Sequence, residues 1–256
     1  MPGELEQIAH GGAVQFPYQQ GPPLHGEKIP RLSTELAWRV GSGATLGVGL
    51  TLLGQAAAVA PALIECLARH GLRPPRGRLR LTRVVESWAA GRVLFDARLP
   101  QLRVQPPEMQ SLGDAADPGE PVRRLRVVFL TPALVNVDGA TCTDPEQLAA
   151  LFARHCLVRA MQVHDAFFRR DGGRLPWMEL PEMGVKLAGA RLFRYVLPRV
   201  SFRQDRRMNF DGVVGYLDLE GDLTPALPFI RAAEVLHFGQ KATFGLGRIQ
   251  WFRAES

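Results

Sequence analysis

A chain of 256 residues, 46% hydrophobic and 22% charged, is long enough for two folded units of ordinary size. It has no apolar run of the roughly 20 residues a membrane helix needs, and its opening MPGELEQIAHGG lacks the pattern of a signal peptide, so a cytoplasmic protein away from the membrane is expected. Three cysteines (Cys66, Cys142, Cys156) with no CxxC argue against a zinc ribbon or a redox pair, while a net charge of +6, with all but three of the 31 basic residues being arginine, points to a polyanionic partner.

The first predicted strand is ATLGVGLTLLG, near 44–54. A helix is expected from about Gln55 to His70, with Pro61 near its start and Gly71 as its terminator. RGRLRLTRVVES then alternates, with Arg78, Arg80 and Thr82 on one face and Leu79 and Leu81 on the other, as a half-exposed strand does. Residues 69–83 hold six arginines and no acid. Five prolines between 100 and 121, with MQSLGDAADPGEP, mark a linker. The units expected on either side span 1–110 and 120–256.

The second unit opens with the strand RRLRVVFLTPALV. Asp144, Pro145 and Gln147 then provide a cap, a first-position proline and a capping-box glutamine, with Leu148, Leu151, Phe152 and Cys156 as the apolar stripe. The stretch from about 153 to 190 is longer than a simple connection needs and reads as a helical insertion. Its Arg154, His155, Arg159, Arg169 and Arg170 suggest a solvated basic face. Strands are expected at about 191–203 and 212–220, joined by QDRRMNFDG, and then a helix at about Pro225–Phe238 capped by Thr224. The glycine-rich loop and the strand GRIQWF end the chain. This order of strand, helix, strand, strand, helix, strand is ferredoxin-like, as in RNA-recognition modules, and the first half looks like an abbreviated copy. The expected fold class is therefore α+β: two tandem ferredoxin-like domains, the first shortened, with a helical insertion in the second.

Two constellations carry chemistry. In LHFGQKATFGLGRIQW (236–251), Gly239, Gly245 and Gly247 permit close approach of backbone to a ligand, and Lys241, Thr243 and Arg248 add donors, with His237 at the helix end. It matches neither GxxxxGK[ST] nor a GxGxxG after a strand, which counts against a dinucleotide enzyme. The second is the hairpin around RQDRRMN. Arg199 and Arg203 share a strand face with Ser201, Arg206 and Arg207 sit at the tip, and residues 191–207 hold six arginines against the single acid Asp205. Asp211, Asp218, Glu220 and Asp222 have strand spacing and are expected as solvated strand ends, not as a two-metal site.

Taken with GVGLTLLGQA (47–56), VVFLTPALV (127–135) and SFRQDRRMNFDGVVGYLDLEGDLTP (201–225), the glycine loop resembles the C-terminal signature of the CRISPR-associated endoribonucleases that process precursor crRNA, within the RAMP superfamily. The shortened start resembles the plasmid-associated type IV branch. The resemblance implies that the hairpin and the loop hold repeat RNA, with Arg154 and Arg159 as further contacts. It also implies metal-independent cleavage by the RNA's own 2′-hydroxyl, without a cofactor, and a crRNA that passes into an effector complex with other CRISPR subunits. The family's first-domain histidine does not map onto one position. His10 and His25 lie nearest, and His25 stands in a loop beside Lys28 and Arg31. An arginine route through Arg31, Arg39 and Arg248, working by alignment and electrostatics, stays open beside it. So does a non-catalytic RAMP-type subunit that only holds crRNA.

Overall fold

The structure is a computed structural model that describes residues 43, 45, 47–71, 79–86, 91–99, 104–107, 120–167, 178–201 and 206–254. His10, His25, Arg31, Arg39, Arg203, Arg169, Arg170 and most of the 100–121 linker lie outside the described residues.

The stretch 47–53, expected as a strand, pairs with no strand among the described residues, and Val48 and Leu50 are 82% and 66% exposed. Apolar composition alone does not hold a strand; its N–H and C=O groups need a neighbour. Leu53 packs against Val163, Ala232 and Leu236. A 3₁₀ turn, Gly54–Val59, leads into helix α1, Ala60–His70, which ends at Gly71 with φ 64° as expected. The alternating arginine segment forms a shorter strand than expected. β1 covers Arg83–Val85 and pairs with β2, Val93–Asp96. Ile64 of α1 packs on Leu94 and Phe95 of β2 to make a small core. Glu86 is buried beside this sheet because Arg92 pairs with both carboxylate oxygens, at 2.7 and 3.0 Å.

The second unit is built on β3, Arg124–Ala133. A small hairpin follows, β4 (Asn136–Val137) with β5 (Ala140–Thr141), then helix α2, Pro145–Phe167. Asp144 caps α2, its Oδ1 accepting from the Glu146 N–H at 2.9 Å. Gln147 does not complete a capping box; its Oε1 accepts from the Cys142 thiol at 3.2 Å. Residues 153–167 of the expected insertion are the continuation of this helix, and 178–185 reach the next strand without helix.

β6 (Lys186–Ser201) and β7 (Arg206–Glu220) form a long antiparallel hairpin. The expected loop QDRRMNFDG is mostly strand, and Arg206 and Arg207 belong to β7, paired with Ser201 and Val200. The reason is geometric. Two strands already in register continue to pair while their backbones face each other. Helix α3, Leu227–Leu236, follows a 3₁₀ turn at Thr224–Ala226, and β8 is Ile249–Arg253. Thr224 is not the expected cap. Its hydroxyl oxygen accepts from the Val122 N–H at 2.9 Å and ties this turn to the entrance of β3.

The sheet order β6-β7-β3-β8, all antiparallel, with α2 and α3 on one face, is ferredoxin-like and bears out the α+β expectation. Leu125, Val127 and Phe129 of β3 point into the core with Phe152, Leu217, Ile230 and Ile249. Gly215 crosses the middle of the sheet with φ +117°, where a Cβ would stand 2.0 Å from the Arg191 carbonyl oxygen.

Candidate nucleic-acid interface

β3 stops pairing regularly with β7 between Phe129 and Ala133, where Leu130, Thr131 and Pro132 bulge. Pro132 has no N–H to give the ladder, which suits it to a bulge. The bulge is where the glycine-rich loop is fastened. Leu130 N–H donates to the Arg248 carbonyl at 2.8 Å, and Gly247 N–H to the Pro132 carbonyl at 2.9 Å. The Thr131 hydroxyl donates to the Gly245 carbonyl at 2.7 Å and accepts from the Arg248 N–H at 2.8 Å.

The loop leaves α3 at His237, whose φ of 64° turns the chain back. Phe238 is fully buried, its ring 5.0 Å from Phe152 and 5.7 Å from Phe129 between centroids. Its N–H donates to the Gly247 carbonyl at 2.7 Å, and His237 Nδ1 lies 2.9 Å from the Leu246 carbonyl oxygen. Gln240 N–H donates to the Leu134 carbonyl at 2.8 Å. At the tip, Lys241 is left-handed and Ala242–Phe244 make one 3₁₀ turn. Among the described residues, nothing accepts from the N–H groups of Gly239, Lys241, Ala242 and Thr243. The side chains of Lys241, Thr243 and Arg248 are exposed around them. Clustered backbone donors beside two cations form a setting for a phosphate.

The hairpin stands beside this loop. β7 pairs with β3 up to Val213, whereas β6 and β7 go on pairing to Ser201 and Arg206. At ~3.4 Å per residue the arm projects roughly 20 Å past the sheet. Arg199, Arg206 and Arg207 lie on this arm. Its base is welded to the loop. Phe210 packs with Leu134 and Leu246, and its ring centroid is 5.2 Å from that of Phe244. Arg194 pairs with Asp211 beside it, Nε to Oδ1 at 2.8 Å.

The expected basic face of α2 is only partly solvated. Arg154 is exposed, but His155 and Arg159 are half-buried. Arg159 Nε donates to the Leu236 carbonyl at 3.0 Å, so its guanidinium serves the last turn of α3. His155 meets Phe238 edge-on at 6.0 Å. Burial, then the Arg154 charge, pushes the His155 pKa below its ordinary value.

The acidic residues of β7 are paired across the sheet instead of standing as free strand ends. Asp218 takes a bidentate contact from Arg126 at 2.7 and 2.9 Å, and Arg126 lies over the Tyr216 ring at 4.3 Å. Glu220 pairs with Arg124 at 3.1 Å. These arginines already have partners within the protein, which Lys241 and Arg248 lack among the described residues. The bulge at Leu130-Thr131-Pro132 is the functional element that sequence reasoning missed, although the Thr-Pro step inside VVFLTPALV signals it.

The sheet order and the fastened loop define the second unit as a ferredoxin-like domain that carries a glycine-rich loop between its last helix and its edge strand. Residues 127–249 match the family model of the CRISPR-associated endoribonuclease Cas6. Among solved structures, the chain is similar to a Thermus thermophilus Cas6, at 16% identity and a TM-score of 0.37, over 52% of this chain and 55% of that one. A Cas6 product complex matches at 18% identity and a TM-score of 0.47, over 75% and 68% of the two chains. A Cas6-RT-Cas1–Cas2 complex matches at 13% and 0.48, over 77% and 21%. The chain thus spans about half the length of the Thermus thermophilus protein. No curated protein matches the sequence. No helix among the described residues is long and apolar enough to cross a membrane.

Proposed function

We propose that this protein is a crRNA-processing endoribonuclease that holds a repeat stem-loop between the glycine loop and the β6–β7 arm. The observation that carries the reading is the open set of N–H groups at Gly239, Lys241, Ala242 and Thr243, next to exposed Lys241 and Arg248, at the foot of an arginine-bearing arm. Phosphates of one RNA strand fit the loop, and the arm lies along the stem. Arg154 is the further contact on α2.

The chemistry is cleavage by the RNA itself. The 2′-oxygen attacks the adjacent phosphorus, its proton passes to a base, and the 5′-oxygen leaves and gains a proton. The products are a 2′,3′-cyclic phosphate and a 5′-hydroxyl. His25 is the proposed proton acceptor, with Arg31 and Arg39 stabilising the crowded phosphate. The reaction is proposed to need no metal, and the protein to keep its product for assembly with other CRISPR subunits.

Incubating repeat stem-loop RNA with the protein in EDTA tests this. One cut is expected, and a 2′-deoxy substitution at the scissile position should abolish it. RNA that is bound but stays intact would make the protein a non-catalytic crRNA holder. His25→Ala should stop cleavage while leaving binding in place; if Arg31→Ala or Arg39→Ala does so instead, the arginine route is the operative one.

A further inference from the structure

His237 occupies a position that most residues avoid. Its φ of 64° with ψ of 152° is a region side chains disfavour, and such positions cluster at ligand sites. Its ring also has a fixed orientation. The Leu246 carbonyl can only accept, so Nδ1, 2.9 Å away, carries a proton in either charge state. In the neutral ring, Nε2 is then left with its lone pair.

The surroundings of the ring are cationic. Arg248 flanks it from the loop exit and Arg159 from α2, where it is bound to the carbonyl of the preceding residue, Leu236. His155, also on α2, packs edge-on against the next residue, Phe238. On α3 the acid Glu234 is engaged elsewhere, its Oε1 accepting from the Trp251 N–H at 3.3 Å. The β3–β4 segment meets the loop through uncharged groups: the carbonyls of Pro132 and Leu134, the Leu130 N–H, the Thr131 hydroxyl and the Asn136 amide. Burial, with Arg248 and Arg159, pushes the His237 pKa below its ordinary value, and the Leu246 carbonyl opposes this.

We propose that His237 takes up a proton when an RNA phosphate docks on the glycine loop, and that its Nε2–H then becomes a further donor to that phosphate. The idea rests on the RNA-binding reading above. A phosphate anion beside Lys241 and Arg248 offsets the two positive charges that keep a third off the imidazole. Proton uptake leaves the loop in place, because the Nδ1–H bond to Leu246 exists in both states. By linkage, a group that binds its proton more tightly in the complex makes affinity rise as pH falls.

The test compares stem-loop RNA binding by wild type and His237→Asn at pH 8, 7 and 6 and constant ionic strength. Asparagine tolerates positive φ, and its amide can donate to Leu246, but it does not titrate. Wild-type affinity is expected to strengthen several-fold from pH 8 to 6, with a flatter response in the variant. Calorimetry in two buffers of different ionisation enthalpy should show proton uptake on binding by wild type, and less by His237→Asn. Equal pH slopes in the two proteins, or wild-type binding without proton uptake, would overturn the proposal and leave the RNA-binding reading standing. A wild type that binds no stem-loop at any pH would end that reading, and this proposal with it.

Discussion

The N–H of Phe238 donates to the carbonyl of Gly247 at 2.7 Å, and this bond closes the neck of the glycine-rich loop. A Cβ on Gly247 would stand 1.8 Å from the Phe238 carbonyl oxygen, at a φ of +72°. Gly245, at φ +79°, has nothing within 4 Å of its Cβ position. Gly247→Ala should therefore cost about 3 kcal/mol and Gly245→Ala about 1 kcal/mol. Urea denaturation of both variants checks this; equal losses would mean that the neck is not closed in this way.

Phe210 is buried and Phe244 is 48% exposed, yet their rings lie 5.2 Å apart. Truncating Phe210 to alanine should cost about 3 kcal/mol, because it also leaves a hole against Leu134 and Leu246. Truncating Phe244 should cost about 1 kcal/mol. A double-mutant cycle is expected to return a coupling of about 1 kcal/mol. Additive losses would show that the arm and the loop are not joined through this pair.

Lys241 and Arg248 are exposed beside N–H groups that have no acceptor among the described residues. Lys241→Ala and Arg248→Ala should each weaken stem-loop RNA binding at low salt and lower the slope of log affinity against log salt by about 1. Unchanged slopes, measured by fluorescence anisotropy across a salt series, would remove the phosphate from this loop.

His155 packs edge-on against Phe238, and its pKa is held down in the folded protein. The sign follows. Below about pH 6.5 the unfolded chain takes up a proton that the folded chain resists, so folding stability drops as pH falls from there toward the folded value. His155→Gln should lose less stability than wild type between pH 7 and 5, measured as urea midpoints at each pH. Identical losses would place the acid sensitivity on another group.

Much of the fold was legible locally. Pro61 and Gly71 bound α1, Asp144-Pro145 starts α2, and the alternation in RRLRVVFL identifies β3. These signals act within a few residues, through caps, proline geometry and side-chain period. Where a side chain found a partner other than the one its local spacing suggests, the local reading went astray. Thr224 looked like a cap but binds Val122, and Gln147 looked like half of a capping box but binds Cys142. The stretch at 47–53 has strand composition without a strand to pair with among the described residues.

The candidate interface divides along the same line. Order of elements, glycine positions and arginine surplus were set by the sequence alone, and they suffice for the ferredoxin-like class and a polyanion-facing loop. Which arginines stay available was decided by tertiary pairing, since Arg126 closes on Asp218 and Arg159 on the end of α3, while Arg248 stays exposed. The same holds for the bulge at Leu130-Thr131-Pro132, which fastens a loop more than a hundred residues later in the chain. Residue types and spacings carry propensities, but a hydrogen bond or an ion pair forms only where the folded backbone brings its two ends within about 3 Å.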